Sequence, residues 1–199
     1  GQFDIFFSFR GSFRSKFLKL LISSKKKFQF DRHKYQNRHQ VEQYNDFVKD
    51  NLNTNFHPGR LIVHPSLKQT NKNSKPILGI NPGASYGDSK RWYPKEFAKV
   101  ATELSDKFDI LIFGDIDEKN IATDIEKLLI ENNVSNYQNL AGSTTISELI
   151  NQISNLDLFI TGDSGPMHLA ASFEVPTVAI FGPTRIKETS QWMNDKAVI

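Results

Sequence analysis

The sequence has 199 residues, enough for one large domain or two small ones. Lysine and arginine number 25 against 22 aspartates and glutamates, a net charge of only +3, with the basic excess near the N-terminus. There is no cysteine, which excludes disulfides and thiolate metal sites and is compatible with a reducing compartment. No run reaches the roughly 18 apolar residues needed to span a bilayer, and no signal-peptide pattern is visible. The sequence opens on Gly1 and stops within Ala197-Val198-Ile199, which reads as the start of a strand. It is therefore read as a fragment of a longer protein.

The first fifty residues differ from the rest. Asp4 to Phe7 reads as a strand, and Phe9-Arg10-Gly11-Ser12 as a loop. Ser12 to Ile22 reads as a helix, with Phe13, Phe17, Leu20 and Leu21 on one face at helical spacing. Lys25-Lys26-Lys27-Phe28 then leads into a basic, aromatic segment, Asp31 to Tyr44, in which Arg38, His39, Glu42 and Tyr44 fall in a short helix. The basic residues, Arg10, Arg14 and Arg38 among them, form either a solvated face or a cleft for an anionic partner. No nucleic-acid recognition motif accompanies them. Residues 51–74 are polar and weakly patterned apart from Leu61-Ile62-Val63, and Lys68 to Pro76 reads as a linker. Two domains are expected, 1–75 and 76–199.

From Ile77 the chain alternates regularly. Strands are expected at Ile77–Asn81, Asp109–Phe113, Tyr137–Leu140, Leu156–Thr161 and Thr177–Phe181. Between them lie helices. The first begins at Pro94, with Phe97, Val100, Ala101, Leu104 and Phe108 on one stripe. The second is capped by Asp117, and the third is opened by Thr145 or Ser147. This alternation means α/β architecture with a parallel, doubly wound sheet. Each strand ends in a small or polar loop, at Gly83, Gly114, Gly142, Gly165 and Gly182, and such loops gather at the carboxyl edge where open α/β sheets bind ligands. No Gly-x-Gly-x-x-Gly and no Walker lysine loop is present, which argues against a dinucleotide dehydrogenase or a P-loop nucleotidase.

The most informative stretch is Asp163-Ser164-Gly165-Pro166-Met167-His168. It follows a buried strand and starts a helix, with Ser164 or Gly165 as N-cap and Pro166 in the first position. The N–H groups of Met167 and His168 then point out of a helix N-terminus, which favours a phosphate. Asp163 is either a sugar ligand or an Asx-type turn residue. His168 is either a phosphate donor or a packed structural histidine. Lys90 can hold a phosphate as a point charge or be a solvated loop lysine, and Ser85 and Tyr86 add hydroxyls. Asp115 and Asp117 could bind a ribose or base, or one of them caps the helix. Trp92 is core or a helix staple. The five histidines have no metal-ligand spacing, and no tightly bound metal is expected.

Asn81-Pro82-Gly83-Ala84-Ser85-Tyr86-Gly87-x-x-Lys90-Arg91-Trp92 closely resembles the first donor-site motif of the ADP-heptose:lipopolysaccharide heptosyltransferases. Asp163 to Ala171, with Val175-Pro176-Thr177 and Phe181-Gly182-Pro183-Thr184, resembles the second. The form Asn-Pro-Gly-Ala-Ser-Tyr-Gly is most similar to the heptosyltransferase II branch, which adds the second inner-core heptose. The resemblance covers about Pro76 to Thr184 strongly and the earlier residues weakly. It implies the GT-B fold, two Rossmann-like domains with the active site between them. Residues 1–75 would then be a remnant of the N-terminal acceptor-binding domain with its linker, and 76–199 the donor-binding domain, truncated at its C-terminus. The loop carrying the aspartate base would lie upstream of Gly1.

The resemblance further implies an inverting transfer of heptose from ADP-heptose, with no metal and no tightly bound cofactor. The diphosphate would sit at the Ser164–His168 helix terminus, including Gly165 and Met167, with Lys90, Ser85 and Tyr86. Asp163 would face the heptose, and the adenosine would lie across Gly114, Asp115 and Thr144. Lys90 and Asp163 would be the catalytic residues. Arg10, Arg14 and Arg38 would meet the phosphates and Kdo carboxylates of an acceptor built on lipid A. That places the protein in the cytoplasm of a Gram-negative cell, in peripheral contact with the inner membrane through its acceptor. The rival expectations are a nucleotide-sugar 2-epimerase of the same architecture and a non-catalytic nucleotide-binding module.

Overall fold

The computed structural model describes residues 1–65, 75–83 and 91–199. The chain forms two compact units, Gly1–Gly59 with Lys187–Ser190, and Arg60–Ile186 with Gln191–Ile199. The units part before the expected boundary at residue 76. Arg60 accounts for this, because its guanidinium pairs with Glu174 and stands 3.9 Å from Asp195. Most of the expected linker, residues 68–74, lies outside the described residues.

In the first unit β1 (Phe3–Ser8), α1 (Phe13–Leu21) and β2 (Ser24–Gln29) make a βαβ arrangement, with the strands parallel and Ser8 opposite Gln29. The second strand corrects the sequence reading, which made the lysine run a mere lead-in. The parallel ladder to β1 holds it extended, and Phe28 packs on Phe7 at 5.0 Å. Helix α1 is capped by Ser12, yet Phe13, Phe17, Leu20 and Leu21 are all exposed. The expected short helix around Arg38–Tyr44 is instead α2 (Gln40–Leu52), and Arg38 lies ahead of it. His39 sets the start: its ring accepts the Val41 N–H at 3.2 Å, while Glu42 accepts the His39 N–H at 3.1 Å. The helix then buries Phe47 among Phe30, Tyr35 and Phe7. Aromatic rings packed edge to face anchor this unit.

The second unit is a six-stranded parallel sheet in the order β5-β4-β3-β6-β7-β8. The strands are β3 (Ile77–Asn81), β4 (Asp109–Ile112), β5 (Tyr137–Asn139), β6 (Leu158–Gly162), β7 (Thr177–Ile180) and β8 (Ala197–Val198). The expected alternation therefore holds, and the apolar terminal trio does start a strand. The helices are α3 (Pro94–Leu104), α4 (Lys119–Glu131), α5 (Ile146–Ser154) and α6 (Gly165–Ser172), whereas the single turn α7 (Ile186–Thr189) belongs to the first unit from Lys187 on. Strand order and parallel sense are those of a doubly wound nucleotide-binding fold. Two apolar clusters cover the sheet, one with Leu78, Ile80, Phe97 and Ile125, the other with Ile153, Phe159 and Ala170. Trp92 staples α3: it precedes the N-cap Tyr93 and meets Phe97 edge-on at 5.2 Å. Phe108 lies beyond the end of α3 but still packs against the first cluster.

Candidate functional site

Strands β3 and β6 are neighbours, with Asn81 opposite Thr161, and from their carboxyl ends the chain winds away in opposite directions. That is the topological switch point, where the loops diverge and open a crevice. A cleft of about 350 Å³ lies there. Asn81, Gly83, Gly114, Asp115, Glu118, Thr144, Asp163, Ser164 and Gly165 line it. Of the five glycine loops expected together, those of Gly83, Gly114, Gly142 and Gly165 reach the cleft, the Gly142 loop through Thr144 and Thr145.

Helix α6 starts at Gly165, so Ser164 is the N-cap and Pro166 takes the second position rather than the first. Proline costs no hydrogen bond there, because first-turn N–H groups have no partner within the helix. Ser164 has the chemistry of a cap but does not act as one. Its hydroxyl lies 3.2 Å from Asn81 Nδ2 and 3.2 Å from Thr161 Oγ1. Ser164 thus gives the first turn of α6 no side-chain cap, an arrangement that favours an anion. Asp163 is buried at the mouth of this turn. Met167 is fully buried, backbone included, and is not among the residues lining the cleft. His168 is half-buried and is not among the residues lining the cleft.

On the opposite wall Asp115 accepts the N–H groups of Asp117 at 2.9 Å and Glu118 at 3.1 Å. Asp115, not Asp117, is therefore the cap, and it starts a 3-10 turn, Ile116–Glu118, that runs into α4. The capping duty comes from position: Asp115 directly follows the strand-end glycine, and its carboxylate reaches the next free N–H groups. Glu118 completes the box by accepting the Asp115 N–H at 3.0 Å. Only 6% exposed, it lies against Gly83 and Gly114 and lines the cleft. Sequence reasoning missed Glu118, although the Asp-x-x-Glu spacing after a strand end is a capping-box signal. Gly142, at φ +64°, donates its N–H to Gly114 at 2.9 Å and ties the β5 loop to the β4 loop. Thr145 caps α5 and Glu148 closes that box. The Thr145 N–H first, and its hydroxyl second, hold the Glu148 carboxyl below the ordinary glutamate value.

Ser85, Tyr86 and Lys90 lie outside the described residues. Arg10, Arg14 and Arg38 belong to the first unit and are exposed, with Arg38 paired to Asp46. Among the described residues no group of three or more His, Asp or Glu side chains is placed to hold a metal ion. Among them, too, no helix is long and apolar enough to cross a membrane.

The family model for glycosyltransferase family 9 (heptosyltransferase) matches residues 1–199. The chain belongs to glycosyltransferase family 9. Lipooligosaccharide heptosyltransferase 2 of Campylobacter jejuni serotype O:2 is 44% identical to it over 99% of this chain and 63% of that protein. The Haemophilus influenzae Rd protein of the same name is 36% identical over 63% of this chain and 36% of its own length. Among solved structures, E. coli ADP-heptose lps heptosyltransferase II superposes with a TM-score of 0.77 at 22% identity, over 98% of this chain and 67% of that one. The family 9 glycosyltransferase of Veillonella parvula gives 0.80 at 20% identity, over 100% of this chain and 63% of that one. At such identities these structures speak for the fold, which is the GT-B heptosyltransferase fold the motifs imply. This family 9 chain thus spans 63% of the length of the C. jejuni protein.

Proposed function

We propose that this chain carries the donor site of an inverting heptosyltransferase. The reaction moves L-glycero-D-manno-heptose from ADP-heptose to the inner core of lipooligosaccharide or lipopolysaccharide. One observation carries the reading: the uncapped first turn of α6 opens on the switch-point cleft beside the buried carboxylates of Asp163 and Glu118. Family membership and the identity to heptosyltransferase 2 proteins support it.

The parts of the donor sort by charge. A carboxylate next to a diphosphate is repelled, so Asp163 and Glu118 must face hydroxyl-rich parts of the ligand. Carboxylates only accept hydrogen bonds, which suits sugar hydroxyls. Asp163 takes those of the heptose and Glu118 those of the ribose, with Gly114, Asp115 and Thr144 beside the adenosine. The diphosphate takes the first turn of α6, where Gly165 lies exposed on the cleft, with Lys90, Ser85 and Tyr86 as the family motif implies. An acceptor hydroxyl attacks the anomeric carbon from the face opposite the ADP. The bond from that carbon to the phosphate oxygen breaks through an oxocarbenium-like transition state, and the configuration inverts. Charge grows on the departing ADP, where Lys90 and the backbone donors stabilise it more than in the ground state. Arg10, Arg14 and Arg38 serve the anionic acceptor, whose lipid anchor brings the enzyme to the cytoplasmic face of the inner membrane.

The test is a titration of the intact protein with ADP, followed by amide shifts, and a transfer assay with ADP-heptose and a heptose-bearing Kdo-lipid A acceptor. Shifts around Gly83, Gly114 and Gly165, together with heptose transfer, are expected. Shifts at the opposite sheet edge, or turnover of the sugar nucleotide without acceptor, would overturn the reading, the latter in favour of an epimerase.

A further inference from the structure

Among the described residues four helical starts are capped by a side chain, and one with an ideal capping residue is not. Ser12, His39, Asp115 and Thr145 cap with φ of −67°, −60°, −80° and −73°. Ser164 stands at φ −146° and makes no cap. Serine is among the best N-cap residues, so its failure here is a matter of placement, not chemistry. The extended backbone swings its hydroxyl away from the turn. There it meets Asn81 Nδ2 at 3.2 Å and Thr161 Oγ1 at 3.2 Å. Asn81 is 3% exposed and Thr161 is fully buried. Polar groups at that depth keep their hydrogen bonds, so the trio is a fixed unit across the β3–β6 seam.

We propose that Asn81 is a positioning residue, holding the Ser164 hydroxyl off the first turn of α6 so that the turn's N–H groups stay available to an anion. The proposal rests on the reading of the cleft as a diphosphate site. A serine free to rotate back would cap the turn and compete with the diphosphate for the same donors. The seam also explains why a buried asparagine, not an apolar residue, ends β3. Its amide donates across the switch point, where β6 offers hydroxyls instead of a further ladder.

The test is calorimetry of ADP binding to the intact protein and its variants. Asn81→Ala should weaken ADP binding about twofold to thirtyfold, the free-energy range of an N-cap expressed as an affinity ratio. Adding Ser164→Ala to Asn81→Ala removes the competing hydroxyl, and affinity should return towards that of the parent. A purely structural role for Asn81 would give no such rescue. Unchanged binding in Asn81→Ala, or a double variant no better than the single one, overturns the proposal. If circular dichroism shows that Asn81→Ala does not fold, Thr161→Val loosens the same hold. It should give a smaller loss that Ser164→Ala again erases, and a loss that persists overturns the proposal. A parent protein that does not bind ADP overturns the diphosphate site itself, and the role of Asn81 falls with it.

Discussion

The carboxylate of Glu118 occupies the space that a Cβ on Gly83 would fill. A residue at the end of the first strand of the sheet is thus matched to one beyond the second strand, and both line the cleft. Gly83→Ala must displace either the buried carboxylate or the loop. Overpacking of this kind costs about 1–3 kcal/mol. Thermal unfolding of Gly83→Ala should fall accordingly, with ADP affinity falling too. An unchanged melting temperature would mean that Glu118 swings out at no cost.

Glu118→Gln separates shape from charge. The amide oxygen still accepts the Asp115 N–H, so the shape is kept and stability should fall by only about 1 kcal/mol, the difference between a charge-assisted and a neutral hydrogen bond. Binding of ADP should weaken about tenfold, because bonds to an ionised acceptor are roughly twice as strong as neutral ones. Calorimetry decides it, and equal affinity would remove Glu118 from the ribose.

Thr145→Ala removes the α5 cap and should cost about 0.5–2 kcal/mol of stability. The effect carries a pH signature. The Glu148 carboxyl is held below its ordinary value by the Thr145 N–H and hydroxyl. Its folded-state value is depressed, so the stabilisation is present above the unfolded glutamate value and is lost as pH falls through the folded one. The stability gap between parent and Thr145→Ala should therefore be widest near neutrality and narrow below about pH 4. A gap that is constant down to pH 2 would show that the Thr145 hydroxyl does not hold the carboxylate.

Lys90→Ala should lower turnover with ADP-heptose more than it weakens donor binding. In the proposed site Lys90 holds the diphosphate, whose charge grows as the glycosidic bond breaks, and a charge-assisted bond of about 1.5–3 kcal/mol converts to roughly tenfold to 150-fold in rate. Lys90→Arg should recover part of the loss, since a planar fork does not replace a compact ammonium. Asp163→Asn should act otherwise, impairing sugar recognition with ADP affinity nearly unchanged. Steady-state kinetics alongside ADP calorimetry separates the two, and intact turnover in Lys90→Ala would leave the cradle to backbone groups alone.

The second unit was legible from its sequence because local signals and tertiary fate agree there. Apolar runs such as Leu78-Gly79-Ile80 and Phe159-Ile160 are buried between helices, and each strand stops at a glycine or a small polar turn. The α6 turn could be read to within one residue from Gly165 and Pro166 alone. What the sequence could not determine is what long-range contact decides. The run Lys25-Lys26-Lys27 has no apolar alternation, and only pairing with β1 makes it a strand. Helix α1 has a clear apolar stripe, yet Phe13 and Leu20 are exposed in this structure, since periodicity names a face and not its partner. Ser164 reads as an ordinary cap, but in the fold its hydroxyl meets Asn81, which arrives from another strand, and Thr161. Glu118 carries no local signal of a site, and only the fold sets its carboxylate against Gly83 at the wall of the cleft. Local chemistry fixed the elements, and the winding of the sheet about its switch point decided which polar groups meet.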